Sequence, residues 1–379
     1  MCLRQETTSV FSTTETTKIN LATHSTIKPA MEPRASNSYD FVRFCAASAV
    51  LVSHHFALSQ LPEPLVPGYG DNLGVLGVQV FFCLSGFLIC RSLQKSTDWA
   101  LFASARFLRI FPNLTFSLTA TSVATLLWYS NYSHIGKHIK FVVGNLLMFF
   151  RGVTYIIPGV FEDAKASPAI NGPLWSLPFE LWLYVLLFLF FLVGGRRISL
   201  WVLAGAVVLS VVWGATPTIG DITIGPFDSF QFSRLGSFFL SGALLAFWWP
   251  SIENHAVTIG AAALLATFLI HYLLPINTIF HSLAVAATVV GLGNSKSMAW
   301  FSRGGDASYG MYIFAWPLQQ FSLLLVGSFW LSMIAAFLAT TALGYATWHT
   351  FEKRAMTFRK TFAHYLLDLT KVRFNGARR

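Results

Sequence analysis

Along most of the chain, long apolar runs recur with short polar breaks between them, a pattern that belongs to membrane-crossing helices rather than to half-buried strands or surface helices. A helix crossing about 30 Å of hydrocarbon needs roughly 20 apolar residues. Segments that meet this requirement begin near positions 41, 73, 108, 174, 198, 231, 257, 277, 308 and 329, which predicts about ten transmembrane helices. The stretch 139–150 is apolar but short and suits a re-entrant or interfacial piece. Residues 1–38 are rich in Ser and Thr, lack an apolar core of signal-peptide length, and read as a disordered cytoplasmic tail in which Met31 offers an alternative start. The expected organisation is this tail, a transmembrane domain over 39–350, and a basic cytoplasmic tail over 351–379, with no internal repeat.

The polar breaks differ in charge. With the N-terminus inside, the connections holding Arg91, Lys95, Arg106 and Arg109, then Arg196 and Arg197, then Lys296 and Arg303, all fall on the cytoplasmic side. This is the positive-inside pattern. The opposite connections at 60–72 and 215–228 carry no Lys or Arg, and 130–172 is the one long exception.

Composition narrows the class further. Only 11% of the 379 residues are charged and 54% are hydrophobic, against roughly 25% charged in an average soluble domain. The formal charge of +10 is concentrated at the end, where 351–379 holds eight Lys or Arg and two acidic residues, a net of +6. Such a tail is expected on the anionic cytoplasmic leaflet, and no phosphate-binding or base-reading motif points to nucleic acid. The four cysteines form no CxxC pair, so neither a disulfide framework nor a metal site is indicated.

Ionisable groups inside apolar spans cost about 2.5–3.5 kcal/mol each on insertion scales, so those retained are candidates for chemistry. Arg43 and His54 lie eleven residues apart on the first predicted span. They share a helix face but stand about 16 Å apart at ~1.5 Å per residue, with Arg43 at the cytoplasmic rim and His54 about mid-bilayer. A histidine with an ordinary pKa of about 6.5 is a natural proton acceptor near neutrality. The other reading is an interface-anchoring arginine and a histidine bonded to a neighbouring helix; His55 points about 100° away and is the weaker candidate. Arg106 and Arg109, at i and i+3, present two guanidinium forks that suit phosphates, or else anchor the span by the positive-inside rule. Glu180 is a lone carboxylate expected near the outer end of its span. There it either stabilises a helix start capped by Ser176, orients a histidine, binds sugar hydroxyls, or pairs with Arg234. His134 and His138 have zinc-like spacing but no acidic or Cys partner nearby in sequence.

In chain order, FFCLSGFLI at 81–89, RFLRIFP at 106–112, WSLPFE at 175–180, FFLSGALLA at 238–246, SYGMYIFAWPLQQ at 308–320 and FEKR at 351–354 join the Arg43-to-His54 spacing. Together these resemble the membrane-bound acyltransferase family 3, over residues 38–355. The resemblance implies an enzyme that O-acylates extracytoplasmic polysaccharides or related acceptors, seated in a bacterial inner (plasma) membrane with both termini cytoplasmic. It implies catalytic roles for Arg43, His54 and Glu180 and acyl-CoA binding by Arg106 and Arg109. No permanently bound cofactor is implied, since acyl-CoA, most often acetyl-CoA, is a substrate. The chain departs from the family at Ala315, where many members carry a histidine, which puts the acceptor in question. The expected partners are acyl-CoA, a carbohydrate or glycolipid acceptor and membrane lipids. His54 would act as general base or as an acylated nucleophile. The competing classes are a transporter of a glycan precursor or small metabolite and a regulatory membrane scaffold; acceptor, acyl chain and oligomeric state stay open.

Overall fold

The computed structural model describes residues 37–376, apart from 68, 70 and 275–277; the expectation for the N-terminal tail lies outside them. The chain is built almost wholly from helices: α1 Tyr39–Leu58, α2 Leu73–Lys95, α3 Trp99–Trp128, α4 Ile135–Leu146, α5 Met148–Arg151, α6 Leu177–Gly194 and α7 Ile198–Ile219. A two-stranded antiparallel hairpin, β1 Thr223–Ile224 and β2 Phe227–Asp228, interrupts an otherwise all-α architecture. Then follow α8 Ser229–Ile252, α9 Ala256–Leu273, α10 Ile279–Gly293, α11 Ser308–Leu325, α12 Phe329–Thr347, α13 Lys353–Thr357 and α14 Arg359–Gly376.

Helices occupy the predicted positions that fall on described residues, and α10 begins just after 277, which lies outside them. Among the described residues, seven apolar helical stretches are long enough to cross a membrane, one of them running through α8 and α9 as Ser229–Ile270. α10 has fifteen residues, and α11 is interrupted by Gln319, Gln320 and other polar groups. The third span differs from expectation at its start. Asp98 accepts from the backbone N–H groups of Ala100 and Leu101 at 2.9 Å and so begins α3 at Trp99, nine residues before position 108. Arg106 and Arg109 therefore lie inside a 30-residue helix rather than at its entrance. The short stretch at 139–150 folds as parts of α4 and α5.

The interior is organised around α2, which packs against α1, α6, α8 and α10. Its contact with α8 is reciprocal. A Cβ on Gly86 would collide with the carbonyl oxygen of Phe239, and one on Gly242 with that of Cys83. The two similar segments noted in the sequence, FFCLSG and FFLSG, thus pack backbone to backbone, which small residues allow in helix pairs without a water-driven hydrophobic effect. Beyond α12, five residues of π-helix at Trp348–Glu352 lead into α13 and α14. The basic segment expected as a tail is helical there, and Phe362 of α14 stacks on Phe107 of α3 with ring centroids 5.4 Å apart.

Candidate functional site

Two chambers lie along α2, named inner and outer from the expectation that the N-terminus is cytoplasmic. The inner one, about 110 Å³, is lined by Arg43, Arg106, Arg109 and Glu180 together with Tyr184, Tyr309 and Tyr312. The outer one, about 170 Å³, is lined by His54, Glu63, Asn72, Trp175 and Arg234 among others.

In the inner chamber, Arg43 and Arg109 converge on one carboxylate from separate helices. Arg43 Nη1 donates to Asp306 Oδ2 at 3.2 Å, and Arg109 Nη2 donates to the same oxygen at 2.6 Å. Ser308 donates its backbone N–H and its hydroxyl to Oδ1. Burial alone would push the Asp306 carboxyl up, but the Arg109 and Arg43 guanidinia hold it down at about 2. On its other side Arg109 Nη1 donates to Glu352 Oε2, whose second oxygen accepts from Asn113 Nδ2 at 2.7 Å. Arg109 also lies over the rings of Tyr309 and Trp348. Its charge is thus largely matched within the protein.

Arg106, one helical turn earlier, is placed differently. It lies over the Tyr184 ring at 5.9 Å, its Nε is buried without a hydrogen-bond partner, and among the described residues no carboxylate comes within ion-pair distance. The two arginines expected to act as a matched pair are therefore unequal, and Arg106 keeps the greater capacity to bind an anion.

Glu180 sits in the first turn of α6. It accepts from Ser85 Oγ at 2.9 Å, midway along α2, and from the Tyr184 hydroxyl. The segment 169–176, which leads into α6, is pinned to α11. Asn171 Nδ2 donates to the Ile313 carbonyl, Trp316 Nε1 donates to the Ala169 carbonyl, and Ser176 Oγ pairs with the Tyr312 hydroxyl at 2.7 Å. Ser176 makes no capping bond to α6, and Arg234 donates to Gln231 rather than to Glu180. Glu180 and His54 line different chambers.

His54 lies about 22 Å along the roughly 30 Å length of α1, toward its C-terminal end. Its ring meets Trp316 edge-on, with centroids 5.1 Å apart. Nδ1 is buried without a partner, which leaves Nε2 to serve the chamber. Glu63 is held beside it by Ser53 Oγ, and Arg234 has a buried, unpartnered Nε. His55, by contrast, is locked by the Phe329 carbonyl and Ser332 Oγ at 3.2 and 3.1 Å. His134 and His138 bond to Asn131 and Ser122, and among the described residues no three His, Cys, Asp or Glu side chains gather as a metal site would require.

Sequence reasoning missed Asp306, Glu352, Glu63 and Val78. Asp306 lies two residues before the start of the Ser-Tyr-Gly segment and Glu352 lies within FEKR, so both had a positional signal. Glu63 and Val78 had none. Ala315, where the resemblance anticipates histidine, is buried beside Trp316.

The chain matches the acyltransferase domain of family 3 over residues 36–349, and it belongs to that family. It is 29% identical to the O-acetyl transferase of Shigella phage Sf6, covering 85% of this chain and 96% of that protein. Nodulation protein 10 of Rhizobium leguminosarum bv. viciae is 27% identical over 85% of this chain and 94% of its own length. A peptidoglycan O-acetyltransferase of Listeria monocytogenes is 25% identical over 65% of this chain, which spans 45% of that longer protein. No solved structure matches the chain. The chain is an integral membrane O-acyltransferase enzyme.

Proposed function

We propose that this acyltransferase moves an acyl group, acetyl in the first instance, from cytoplasmic acyl-CoA to a hydroxyl of an extracytoplasmic carbohydrate or glycolipid. In this reading ten helices cross a bacterial inner membrane, both termini are cytoplasmic, and no cofactor is resident. The names of the relatives, an O-acetyl transferase and a peptidoglycan O-acetyltransferase, support acetyl as cargo and a glycan as acceptor.

The observation that carries the reading is the division of labour between the chambers. Arginines line the inner one, while a histidine with an available Nε2 lines the outer one. Donor phosphates would bind Arg106, with the outward edges of Arg43 and Arg109 adding field, and the pantetheine arm would run along α2 toward His54. The acceptor would enter from the outer side, stacking on Trp175 and bonding to Glu63 and Arg234. His54 Nε2 takes the hydroxyl proton as the oxygen attacks the thioester carbonyl. The tetrahedral intermediate collapses with cleavage of the C–S bond, and the departing thiolate of CoA receives the proton back from the imidazolium. Glu180, through Ser85 and Tyr184, would position the inner wall rather than touch the reacting atoms.

The test is radiolabelled acetyl-CoA supplied to membranes containing wild type or His54→Ala, scored for base-labile label in the glycan fraction and for CoA release. Label transfer by wild type that is lost in His54→Ala is the expected result. Transfer by wild type that survives His54→Ala overturns the base assignment, and no transfer or CoA release by wild type overturns the donor assignment.

A further inference from the structure

The inner and outer chambers share one lining residue, Val78 of α2. Around it the wall is completed by the chain segment that enters α6, with Trp175 on the outer side and Ser176 and Leu177 on the inner side. If the donor binds below this wall and the base stands above it, the reacting carbonyl must come to Val78. We propose that Val78 is the gauge for acyl length: its two methyl groups set the space beside the thioester and so decide how many carbons beyond the carbonyl the enzyme accepts. This rests on the donor and base assignments proposed above and adds the residue that selects among donors.

The gauge is rigid for reasons visible on both sides of it. α2 is seated tight against α1, where a Cβ on Gly77 would stand 2.7 Å from the Ala46 carbonyl oxygen and from Val50 Cγ2, and one on Gly74 2.8 Å from Ser53 Oγ. Here the two helices touch backbone to backbone. Two turns further on, Gly86 is pressed against α8 in the same way. Nor can the opposite wall withdraw freely, since Ser176 is tied to the Tyr312 hydroxyl. The side chain itself has little freedom, because a valine within a helix holds one χ1 rotamer in about 90% of cases. Val78 is only 7% exposed, so its side chain is packed on most sides and only its chamber-facing surface can meet an acyl chain. A flexible leucine or methionine at this position would yield; a valine on a clamped helix does not.

The experiment compares acetyl-, butyryl- and hexanoyl-CoA in membranes of a host expressing the full chain, with the host's own envelope glycan as acceptor. CoA release and ester-linked acyl groups on the glycan are both measured. Wild type, Val78→Ala and Val290→Ala are compared; the last removes the same two methyls from a buried site that lines neither chamber. A difference of one methylene is commonly discriminated about 10-fold or more. The expected result is a rise of about 10-fold in the hexanoyl-to-acetyl ratio in Val78→Ala with no change in the ratio in Val290→Ala. A ratio within about twofold of wild type in Val78→Ala, or an equal rise in Val290→Ala, overturns the gauge while leaving the acyl-CoA assignment standing. Absence of CoA release from every donor in wild type defeats the donor assignment and the gauge with it.

Discussion

Arg109 on α3 donates to Glu352, a carboxylate 243 residues later in the chain whose side chain is wholly buried where the π-helix follows α12. This pair, together with Asp306, takes up the charge of an arginine that the sequence presents as the twin of Arg106.

The two arginines should therefore fail in different ways. Arg106→Gln is expected to raise the KM for acetyl-CoA about 10-fold or more with little change in thermal stability. Arg109→Gln is expected to lower the melting temperature, because it strands Asp306 and Glu352 in the interior. Donor titrations and thermal unfolding of both variants in detergent check this, and equal effects on KM with unchanged melting would show that the pair acts as one phosphate clamp.

Asp306→Ala leaves two arginines facing each other without their shared carboxylate. Breaking a buried ion pair by removing one partner costs about 3–5 kcal/mol, and a loss of that order is expected here in denaturant unfolding. The carboxyl is held at about 2, below its ordinary value, so its stabilising contribution is complete above about pH 4 and is lost as pH falls toward 2. Acid unfolding of wild type should show this component between about pH 4 and 2, and Asp306→Asn should lack it.

His54 and His55 adjoin in sequence and should separate in function. His54→Ala is expected to lower acyl transfer by about 10² to 10⁴ while leaving donor affinity in place. His55→Ala is expected to act through stability, since its ring ties α1 to Phe329 and Ser332. Single-turnover transfer and melting temperature, measured on both variants, distinguish the two; loss of donor binding in His54→Ala would point to a packing role instead.

Gly86→Ala adds one methyl group where the Phe239 carbonyl already touches the helix. The backbones of α2 and α8 must part, so the variant is expected to lose folded yield in detergent, and Gly242→Ala should do the same from the other side of the contact. Gly327→Ala, where an added Cβ meets nothing within 4 Å, serves as the control that should fold normally.

The membrane class and the all-helical architecture were legible in the chain because a helix in hydrocarbon satisfies its own backbone hydrogen bonds, and apolar length alone nearly specifies it. The family motifs were legible too, and so was the presence of Arg43, His54, Arg106, Arg109 and Glu180 as unusual charges in apolar surroundings. Their partners were not. Glu180 stands in the first turn of α6, and its bonds to Ser85 of α2 and to Tyr184 do not follow from spacing along the chain.

What the sequence by itself determined is local: where helices form, which side the positive loops favour, and which residues are too costly to be there without a use. Only the tertiary structure decided that Arg43 and Arg109 share Asp306 and that Glu352 consumes the rest of Arg109's charge. The same holds for the placing of Arg43 and His54, on one helix, in different chambers with Val78 between them. The physical reason is that these relationships join residues up to 263 positions apart. They depend on how close two backbones approach and on which face each helix turns inward, and neither quantity follows from the spacing of residues along the chain.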